Sequence, residues 1–341
     1  MIAIRLREPG RWETLDLPEP GSPGPGEALV RIDRIGMCGT DWHAFAGRQP
    51  FFDYPRILGH ELAVTVLETG PGSPAALRPG LRCSVQPYLH DPSSPASRSG
   101  KTNCCERLKV LGVHIDGGMR ERMLLPAGLL HSSTLLSPDQ LALVETLCIG
   151  AHAVERARIA PSELVLVVGL GPIGLAVAQF ALLAGAQVFV ADLRPERLEL
   201  CARHLAIAGV WPGLPADPAL GITPAPVPGT LPTAVFDATG SVHSMEQSLS
   251  LAAHGGRVVF AGITADTIGV PGPLLHRREL SILASRNASA DTFRRVLDAL
   301  ESSRIGTAWW ITHRLSLRDA PTELPRLAGD PALLKALVIP G

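Results

Sequence analysis

The sequence predicts an α/β protein in which a doubly wound parallel sheet is accompanied by a second, mostly β domain. Three observations lead to this fold class. Residues 164–192 read as strand, glycine-rich turn, helix and strand, which is the repeating unit of a parallel sheet. The first part of the chain carries strand patterns between turns rich in Pro and Gly. The 341 residues also exceed the ~250–300 at which a single hydrophobic core stops growing.

The parallel sheet is predicted from the apolar run between Leu164 and Ala191. Such a run is long enough to span a membrane, which takes ~20 apolar residues. Its glycines and Pro172 cluster where a continuous helix needs good helix formers, so we reject a membrane helix. The run fits two strands and an intervening helix: Val165–Val168, Gln187–Ala191, and Pro172 to about Ala184.

Three glycines after the first strand form the G-x-G-x-x-G pattern of dinucleotide-binding proteins in the setting that it requires. Gly169 permits the tight turn, Gly171 lets the backbone approach a pyrophosphate, and Gly174 lets the helix pack on the strand. Pro172 and Ile173 open the helix, whose N-terminal N–H groups and positive dipole end attract phosphate.

Asp192 ends the second strand, where its carboxylate can accept hydrogen bonds from both ribose hydroxyls of NAD. The same charge would repel the 2′-phosphate of NADP. Arg194 and Arg197 are close in the sequence and weaken this preference. NAD is therefore the expected cofactor, and residual use of NADP stays open.

Composition argues against several classes of function. With 46% hydrophobic and 18% charged residues, the chain has the composition of a globular protein with a large core. A net charge of −1 without a basic run argues against a nucleic-acid partner. The N-terminus lacks the apolar core of a signal peptide, and no membrane segment is expected. Six scattered cysteines suit reduced thiols or metal ligands, so we expect a cytoplasmic protein.

Local patterns predict the elements before the parallel sheet. Strands are expected at 28–35, about 62–68 and 81–89, and a loop without apolar periodicity over 90–105. Ser137 can cap a helix, with Pro138 in its first turn and Gln140 completing a capping box. Glu145 lies on this element, and a second helix is expected from His152 to Arg158.

Further along the chain, a helix is predicted from Pro195 to about Leu205. The prolines between Trp211 and Thr230 are too dense for a regular crossover helix, so an irregular surface connection is predicted there. The rest of the chain is predicted to contain a strand at 231–240, a helix at 241–256 and two strands at 256–263 and 279–285. A helix at 291–302 and a strand at 311–317 follow. The last two elements are expected to return to the first domain.

Six side chains between the predicted strand at 28–35 and the next predicted strand are of types that bind metals or transfer protons. They comprise potential metal ligands and proton-handling groups: Cys38, His60 and Glu61, and Thr40, Asp41 and His43. The chain has only two tyrosines, Tyr54 and Tyr88, and neither has a lysine four residues later. The Tyr-Lys chemistry of short-chain dehydrogenases is therefore excluded.

Five motifs, in order, resemble the medium-chain zinc-dependent alcohol dehydrogenases over nearly the whole chain: G-x-C-G-T-D-x-H, G-H-E, V-E-x-L…G-A-H-A, G-L-G-P-I-G and F-D-A-T-G. Within that family, GRQPFFDYPRILGHE, KTNCCERLKVLGVHIDGG and HRRELSILASRNA resemble most the sugar-acid dehydrogenases of the L-galactonate 5-dehydrogenase type. Sorbitol and threonine dehydrogenases look like more distant relatives.

The resemblance implies a GroES-like catalytic domain over residues 1–147 and 286–341 and a Rossmann domain over 148–285, with the active site in the cleft between them. A homodimer or homotetramer is expected. Cofactor contacts beyond the glycine pattern are implied at Arg197, Thr239, Gly262, Ser285 and Asn287.

The resemblance also implies one catalytic zinc held by Cys38, His60 and Glu145. Such a site takes three protein ligands and keeps a fourth position open, and the ion lowers the pKa of a substrate hydroxyl as a Lewis acid. Glu61 is the extra carboxylate that can bind the ion transiently. Cys148, three residues after Glu145, is a further thiol that we interpret as packing.

Proton release is expected to begin at Thr40, which takes the alcohol proton and passes it through the nicotinamide ribose to His43. An unperturbed histidine titrates near pH ~6.5, which suits delivery to solvent. Asp41 is expected to brace this turn.

The loop over 91–105 departs from the family pattern C-x2-C-x2-C-x7-C, which binds a structural zinc. Asp91, Ser94 and Ser97 stand at the first three positions, and only Cys105 supplies a thiolate. One thiolate and one carboxylate cannot make a closed tetrahedral site, so no structural zinc is expected. Thr146 is a second departure, because the family often has proline there.

The expected reaction is NAD-dependent oxidation of a secondary hydroxyl in a polyhydroxylated acid such as L-galactonate. Arg56 or Arg286 could grip its carboxylate with two parallel hydrogen bonds. Alternatively, Arg56 forms a salt bridge within its own domain, or Arg286 serves the cofactor phosphates. A polyol, sorbitol-type or threonine-type dehydrogenase is the alternative reaction. The ligand set disfavours both a zinc-free quinone reductase and a redox-inert nucleotide-binding protein.

Overall fold

The computed structural model describes residues 1–50, 52–211 and 230–341 and divides the chain into two compact units. The first unit comprises Met1–Thr146 and Ser289–Gly341, and the second comprises Leu147–Ala288. The irregular connection predicted between Trp211 and Thr230 lies outside the described residues except at its two ends.

The first unit begins with many short strands. They are β1 (Ile2–Glu8), β2 (Arg11–Asp16), β3 (Glu27–Gly36), β4 (Arg56–Ile57), β5 (Glu61–Thr69), β6 (Arg82–Val85), β7 (Tyr88–Leu89), β8 (Lys109–Val110), β9 (Arg122–Pro126) and β10 (Leu130–Ser132). The helices of this part are α1 (Gly39–Phe45), α2 (Pro95–Arg98), α3 (Pro138–Ala142) and α4 (Val144–Ala157), of which α4 continues into the second unit.

Strands and helices alternate in the second unit. The strands are β11 (Leu164–Val168), β12 (Gln187–Ala191), β13 (Gly209–Val210), β14 (Ala234–Asp237), β15 (Arg257–Phe260) and β16 (Ser281–Ala284). The helices are α5 (Pro172–Leu183), α6 (Pro195–His204), α7 (Val242–Leu251) and α8 (Gly272–Arg278). The chain then returns to the first unit with α9 (Ala290–Glu301), β17 (Ile311–Ser316), α10 (Ala320–Leu327) and β18 (Lys335–Ile339).

The described strands of the second unit form one parallel sheet in the order β13-β12-β11-β14-β15-β16. From β11 the chain moves outward through β12 and β13, and later returns beside β11 to continue through β14, β15 and β16. This is the doubly wound parallel sheet that the sequence predicts, so the predicted fold class is confirmed. Strand β11 is wholly apolar, and β12 and β14 are apolar except for Gln187 and Asp237 at their ends, because both faces of such a sheet are buried.

The main sheet of the first unit has the order β10-β6-β5-β3-β18-β17, and β9 also pairs with β3. The last strand, β18, pairs antiparallel with β3 through Leu337 opposite Gly36 and Val338 opposite Ile35. This pairing brings the end of the chain beside the segment that leads from β3 to Cys38. Alternating side chains of the sheet, including Val30, Ile32, Leu62 and Val64, are buried in the core of this unit.

Several predicted elements are correct in type but differ in extent. Ser137 caps α3 and forms the predicted capping box with Gln140. The next helix begins at Val144 rather than at His152. Gly150 within this helix lies against Ala176, and a Cβ added to Gly150 would come within 2.4 Å of the alanine methyl. Close packing at this glycine explains why a helix-weakening residue occurs there.

Three further segments need correction. The strand predicted over 81–89 is divided into β6 and β7, because Pro87 between them cannot donate a ladder hydrogen bond. The loop predicted over 90–105 contains α2, whose first turn is capped by Ser94. Helix α7 ends before the predicted glycine cap, since Ala252 already has extended backbone angles.

Candidate metal site and cofactor site

Three predicted metal-binding side chains converge in the first unit. Cys38 immediately precedes α1, His60 immediately precedes β5, and Glu61 is the first residue of β5. One potential ligand atom from each lies within 4.8 Å of the other two, and His60 and Glu61 are buried. Gly36 leaves the room for this, because a Cβ added there would lie 2.1 Å from Glu61 Oε2.

Asp41 connects the two segments that carry these donors. Its Oδ2 accepts a hydrogen bond from the Cys38 backbone N–H at 2.9 Å, and its Oδ1 lies 3.7 Å from His60 Nδ1. Burial raises the pKa of Asp41, while the neighbouring His60 opposes that shift. The carboxylate therefore braces the turn before α1, in line with the expected role.

Glu61 forms a buried ion pair that no sequence motif predicts. Lys335, at the start of β18, donates to both carboxylate oxygens at 2.8 and 2.7 Å and also to the Met37 carbonyl at 3.1 Å. Thr146 donates to Glu61 Oε1 at 2.7 Å, which gives the departure from proline a role. Burial alone would raise the pKa of Glu61, but Lys335, His60 and Thr146 together outweigh it and the pKa is lowered. A lysine inside the apolar stretch LLKALVI is the signal that sequence reasoning missed.

Glu145 lies in the first turn of α4, beside this group but outside the three that share the 4.8 Å spacing. The Tyr88 hydroxyl donates to its Oε1. Burial raises the pKa of Glu145, the charge of Glu61 adds to the increase, and His60 opposes it. Cys148 is also buried, one helical turn later. The choice of Glu145 as the third ligand stays a prediction.

The chemistry of the donor set fits zinc. A thiolate, an imidazole and a carboxylate are the ligands that catalytic zinc takes in proteins. His60 Nδ1 is buried without a hydrogen-bond partner among the described residues, as is Asp41 Oδ1. Burial lowers the pKa of His60, but Asp41 and Cys38 outweigh it and the pKa is raised well above its usual value. A proton therefore competes with a metal for this imidazole.

The predicted proton-handling residues share one face of α1. Thr40 and His43 are three residues apart on this helix, so their side chains are neighbours. Thr40 is half-buried and His43 is exposed. Partial burial, with a smaller contribution from Arg48, lowers the pKa of His43.

The segment that departs from the structural-zinc pattern is joined by hydrogen bonds. Ser94 Oγ donates to Ser97 Oγ at 3.0 Å, and Cys105 Sγ accepts the Asp91 backbone N–H at 3.3 Å. The Asp91 carboxylate accepts from Ser93 and from Arg107 Nε, and these contacts lower its pKa to about 2. These residues do not fit a four-thiolate metal site.

The glycine turn of the second unit has the predicted geometry. Gly169 has φ +87°, which favours glycine. A Cβ added to Gly174 would lie 1.7 Å from the Gly169 carbonyl oxygen, so only glycine permits this approach of helix and turn. Gly171 is the N-cap of α5, which begins at Pro172 and continues with Ile173.

Asp192 lies at the carboxyl end of β12, beside the glycine turn. Its Oδ2 accepts the Leu170 backbone N–H at 2.6 Å and its Oδ1 accepts the Arg194 N–H at 2.8 Å. Arg197 Nη1 lies 3.9 Å from Asp192 Oδ2. The carboxylate is thus oriented at the edge of the sheet where dinucleotides bind in doubly wound folds.

The other predicted cofactor residues follow neighbouring strands at the same edge. Thr239 follows β14, Gly262 follows β15, and Ser285 and Asn287 follow β16. Ser285 Oγ and Asn287 Nδ2 are buried without hydrogen-bond partners among the described residues. Parallel strands end at a common edge, so these groups lie on the side of the sheet that also carries the glycine turn. Their contacts with NAD stay predictions.

The two candidate substrate arginines differ in surroundings. Arg56 Nη1 lies 3.5 Å from Asp116 Oδ1, and the Arg56 side chain is only 18% exposed. This is the intradomain ion pair considered as an alternative. Arg286 is exposed, just after β16.

A zinc-type donor group together with a dinucleotide-type glycine turn on a doubly wound sheet defines a metal- and dinucleotide-dependent dehydrogenase. Residues 24–134 match the family described as "Alcohol dehydrogenase GroES-like domain", and residues 172–302 match "Zinc-binding dehydrogenase". The chain belongs to the medium-chain zinc-containing alcohol dehydrogenases, which use NAD and act on CH–OH groups of small molecules. In the described part of the chain, no helix is long and apolar enough to cross a membrane.

Known proteins similar to this chain include dehydrogenases of both acids and polyols. L-Galactonate-5-dehydrogenase of Escherichia coli K12 is 41% identical over 89% of this chain and 87% of that protein. D-Altritol 5-dehydrogenase of Agrobacterium fabrum is 31% identical over 98% of each. A solved chain described as a short chain alcohol dehydrogenase (RspB) from E. coli CFT073, complexed with NADH, has a TM-score of 0.88 and 27% identity, covering 99% of each chain.

Proposed function

We propose that the enzyme transfers a hydride between NAD and a secondary hydroxyl of a sugar acid resembling L-galactonate. The observation that carries this proposal is the 41% identity to L-galactonate-5-dehydrogenase over most of the chain. The donor group around Cys38 and His60 supports the reaction type. A polyol substrate is the alternative, supported by the similarity to D-altritol 5-dehydrogenase. A homo-oligomer stays a prediction.

The proposed chemistry assigns separate roles to the residues of the first unit. Cys38, His60 and Glu145 hold zinc, with Glu61 beside them as an exchangeable carboxylate. When bound, zinc acts as a Lewis acid that lowers the pKa of the substrate hydroxyl. One oxygen of Asp41 holds the Cys38 backbone N–H, and the other faces His60 Nδ1 at 3.7 Å.

Proton transfer is assigned to α1. The Thr40 hydroxyl accepts the proton of the substrate hydroxyl while it gives up its own proton, which is passed on to His43. His43 is exposed and releases that proton to solvent. Since the pKa of His43 is lowered, its imidazole is neutral near pH 7 and can accept a proton. In the second unit, Gly171 and Asp192 are assigned to the pyrophosphate and the adenosine ribose of NAD.

Substrate charge provides the test. We expect L-galactonate to be oxidised with at least about tenfold higher kcat/KM than its uncharged analogue galactitol, because one charge-assisted hydrogen bond contributes about 1.5–3 kcal/mol. Arg286→Ala should remove this selectivity if Arg286 grips the carboxylate. Arg56→Ala is the comparison, because Asp116 already occupies that guanidinium. A wild-type preference for galactitol would contradict the sugar-acid assignment and favour the polyol.

A further inference from the structure

The phenol of Tyr88 lies beside the candidate zinc ligands, and the proposed chemistry does not use it. Tyr88 is one of two tyrosines in the chain and is 2% exposed. Its hydroxyl donates a hydrogen bond to Glu145 Oε1 across a sequence separation of 57 residues. A buried phenol that donates to a buried carboxylate restricts both side chains, because each satisfies a polar group of the other.

The backbone and ring of Tyr88 are held independently of this hydrogen bond. Its backbone pairs with Val110 in the two-stranded sheet of β7 and β8. Its ring meets Phe293 edge to face, with centroids 6.2 Å apart, and Phe293 is stacked on His131 at 5.0 Å. Phe293 is fully buried in α9. The hydroxyl is therefore presented from a fixed aromatic cluster.

The two carboxylates near Cys38 and His60 are held by different partners. Glu61 is engaged by Lys335 and Thr146, whose nitrogen and hydroxyl contact its oxygens at 2.7–2.8 Å. Glu145 accepts its bond from the neutral hydroxyl of Tyr88, through one oxygen of its carboxylate. A neutral donor orients a carboxylate without cancelling its negative charge, which a zinc ligand must retain.

We propose that Tyr88 is a positioning residue that orients Glu145 for zinc binding. This inference rests on the proposed role of Glu145 as the third ligand. Hydrogen-bond partners of metal ligands fix ligand orientation, and their loss commonly costs about 10–100-fold in metal affinity or activity. Tyr88 therefore acts on zinc retention and on catalysis through its hydrogen bond to Glu145.

The test compares Tyr88→Phe with Tyr54→Phe in the zinc-loaded enzyme. Each variant loses one phenolic hydroxyl, but that of Tyr54 donates to the Ala44 carbonyl and not to a zinc ligand. We expect Tyr88→Phe to release zinc to a chromophoric chelator at least about tenfold faster than wild type. Its Co(II)-substituted form should show a changed ligand-field absorption spectrum. Tyr54→Phe should keep the wild-type release rate and spectrum.

A double-mutant cycle with Glu145→Gln separates positioning from general loosening of the fold. If Tyr88 acts through Glu145, Tyr88→Phe should change zinc release by less than about twofold in the Glu145→Gln background. An equal effect in both backgrounds, or a wild-type release rate and spectrum in Tyr88→Phe, would overturn the proposal.

Cys38→Ser distinguishes this failure from failure of the proposed site. If Cys38→Ser loses zinc while Tyr88→Phe behaves as wild type, the metal site holds and only the role of Tyr88 is wrong. If Cys38→Ser and Glu145→Gln both retain zinc as tightly as wild type, the proposed ligand set itself is wrong.

Discussion

At the scale of single residues, one buried carboxylate at the candidate metal site is paired with a buried lysine. Glu61 is fully buried and would be costly as an isolated anion, but Lys335, itself 1% exposed, lies against both of its oxygens. Burial alone would lower the pKa of Lys335, yet Glu61, Cys38 and Glu145 together outweigh this effect and the pKa is raised. The ion pair places the Lys335 ammonium close to the donor group. It engages Glu61, so that Cys38 and His60 are the donors that the pair leaves available for a metal.

Asp192 carries the residue-scale prediction on cofactor choice. Asp192→Ala should weaken binding of NAD about tenfold or more, because a hydrogen bond to a charged group contributes about 1.5–3 kcal/mol. NADP binding should change less, since the repulsion of its 2′-phosphate is also removed. Cofactor titrations followed by fluorescence measure both affinities. Glu196→Ala, at an exposed carboxylate nearby on α6, is the matched control. A wild-type preference for NADP would contradict the role of Asp192.

At the scale of elements, hydrogen bonds join the segment over 91–105, which departs from the family pattern of a structural zinc site. Ser94 caps α2 and contacts Ser97, whose hydroxyl also lies 3.1 Å from His90 Nδ1. Cys105 is buried at the end of the segment and accepts the Asp91 N–H. Neutral hydroxyls and backbone groups satisfy one another here, which a cluster of thiolates could do only with a cation.

Zinc content tests this element. We expect wild type to hold one zinc per chain, and Cys38→Ser to hold none. The triple change Asp91→Cys, Ser94→Cys and Ser97→Cys should add a second zinc, because it restores four thiolates with Cys105. Elemental analysis of the purified proteins measures the ratio. Cys104→Ser, at the exposed neighbouring cysteine, should leave one zinc. Two tightly held zincs in wild type would disprove the expected loss of the structural site.

At the scale of the whole molecule, the chain leaves the first unit at Thr146 and returns to it at Ser289. The returning segment supplies β18 to the main sheet, Lys335 to Glu61, and Phe293 to the aromatic cluster around Tyr88. The first unit is therefore complete only when residues far apart in the chain have assembled.

The buried His131 is expected to make the stability of this assembly depend on pH in the acidic range. Burial and, to a smaller extent, Arg294 lower its pKa to about 4, and its ring is stacked on Phe293. An unfolded histidine titrates near ~6.5, so between pH 6.5 and 4 the unfolded chain binds the proton more readily. Stability is thus retained above pH 6.5 and lost as the pH falls towards 4, by up to roughly 3 kcal/mol.

Denaturant unfolding at several pH values measures this loss. His131→Gln should flatten the decline in the free energy of unfolding between pH 6.5 and 4, whereas His276→Gln, at an exposed histidine on α8, should keep the wild-type slope. Identical slopes in wild type and His131→Gln would show that His131 is not the group responsible.

The sequence by itself determined the doubly wound sheet and the glycine turn, because these depend on residues close together in the chain. Gly169, Gly171 and Gly174 lie within six residues of one another in a strand–turn–helix pattern. The capping box of Ser137 and Gln140 is equally local, and the sequence identifies both correctly. Metal donors such as Cys38 and His60 could be nominated, since their types and motif spacing limit the choices.

Only the tertiary structure decided what surrounds those donors. Lys335 lies 274 residues from Glu61 in sequence, and Tyr88 lies 57 residues from Glu145. Local residue patterns contain no signal of these contacts, because antiparallel strand pairing and helix packing bring together groups that are far apart in the sequence. The ion pair of Arg56 with Asp116 depends on folding in the same way. A charged side chain reveals its partner only once the strands that carry both have been placed.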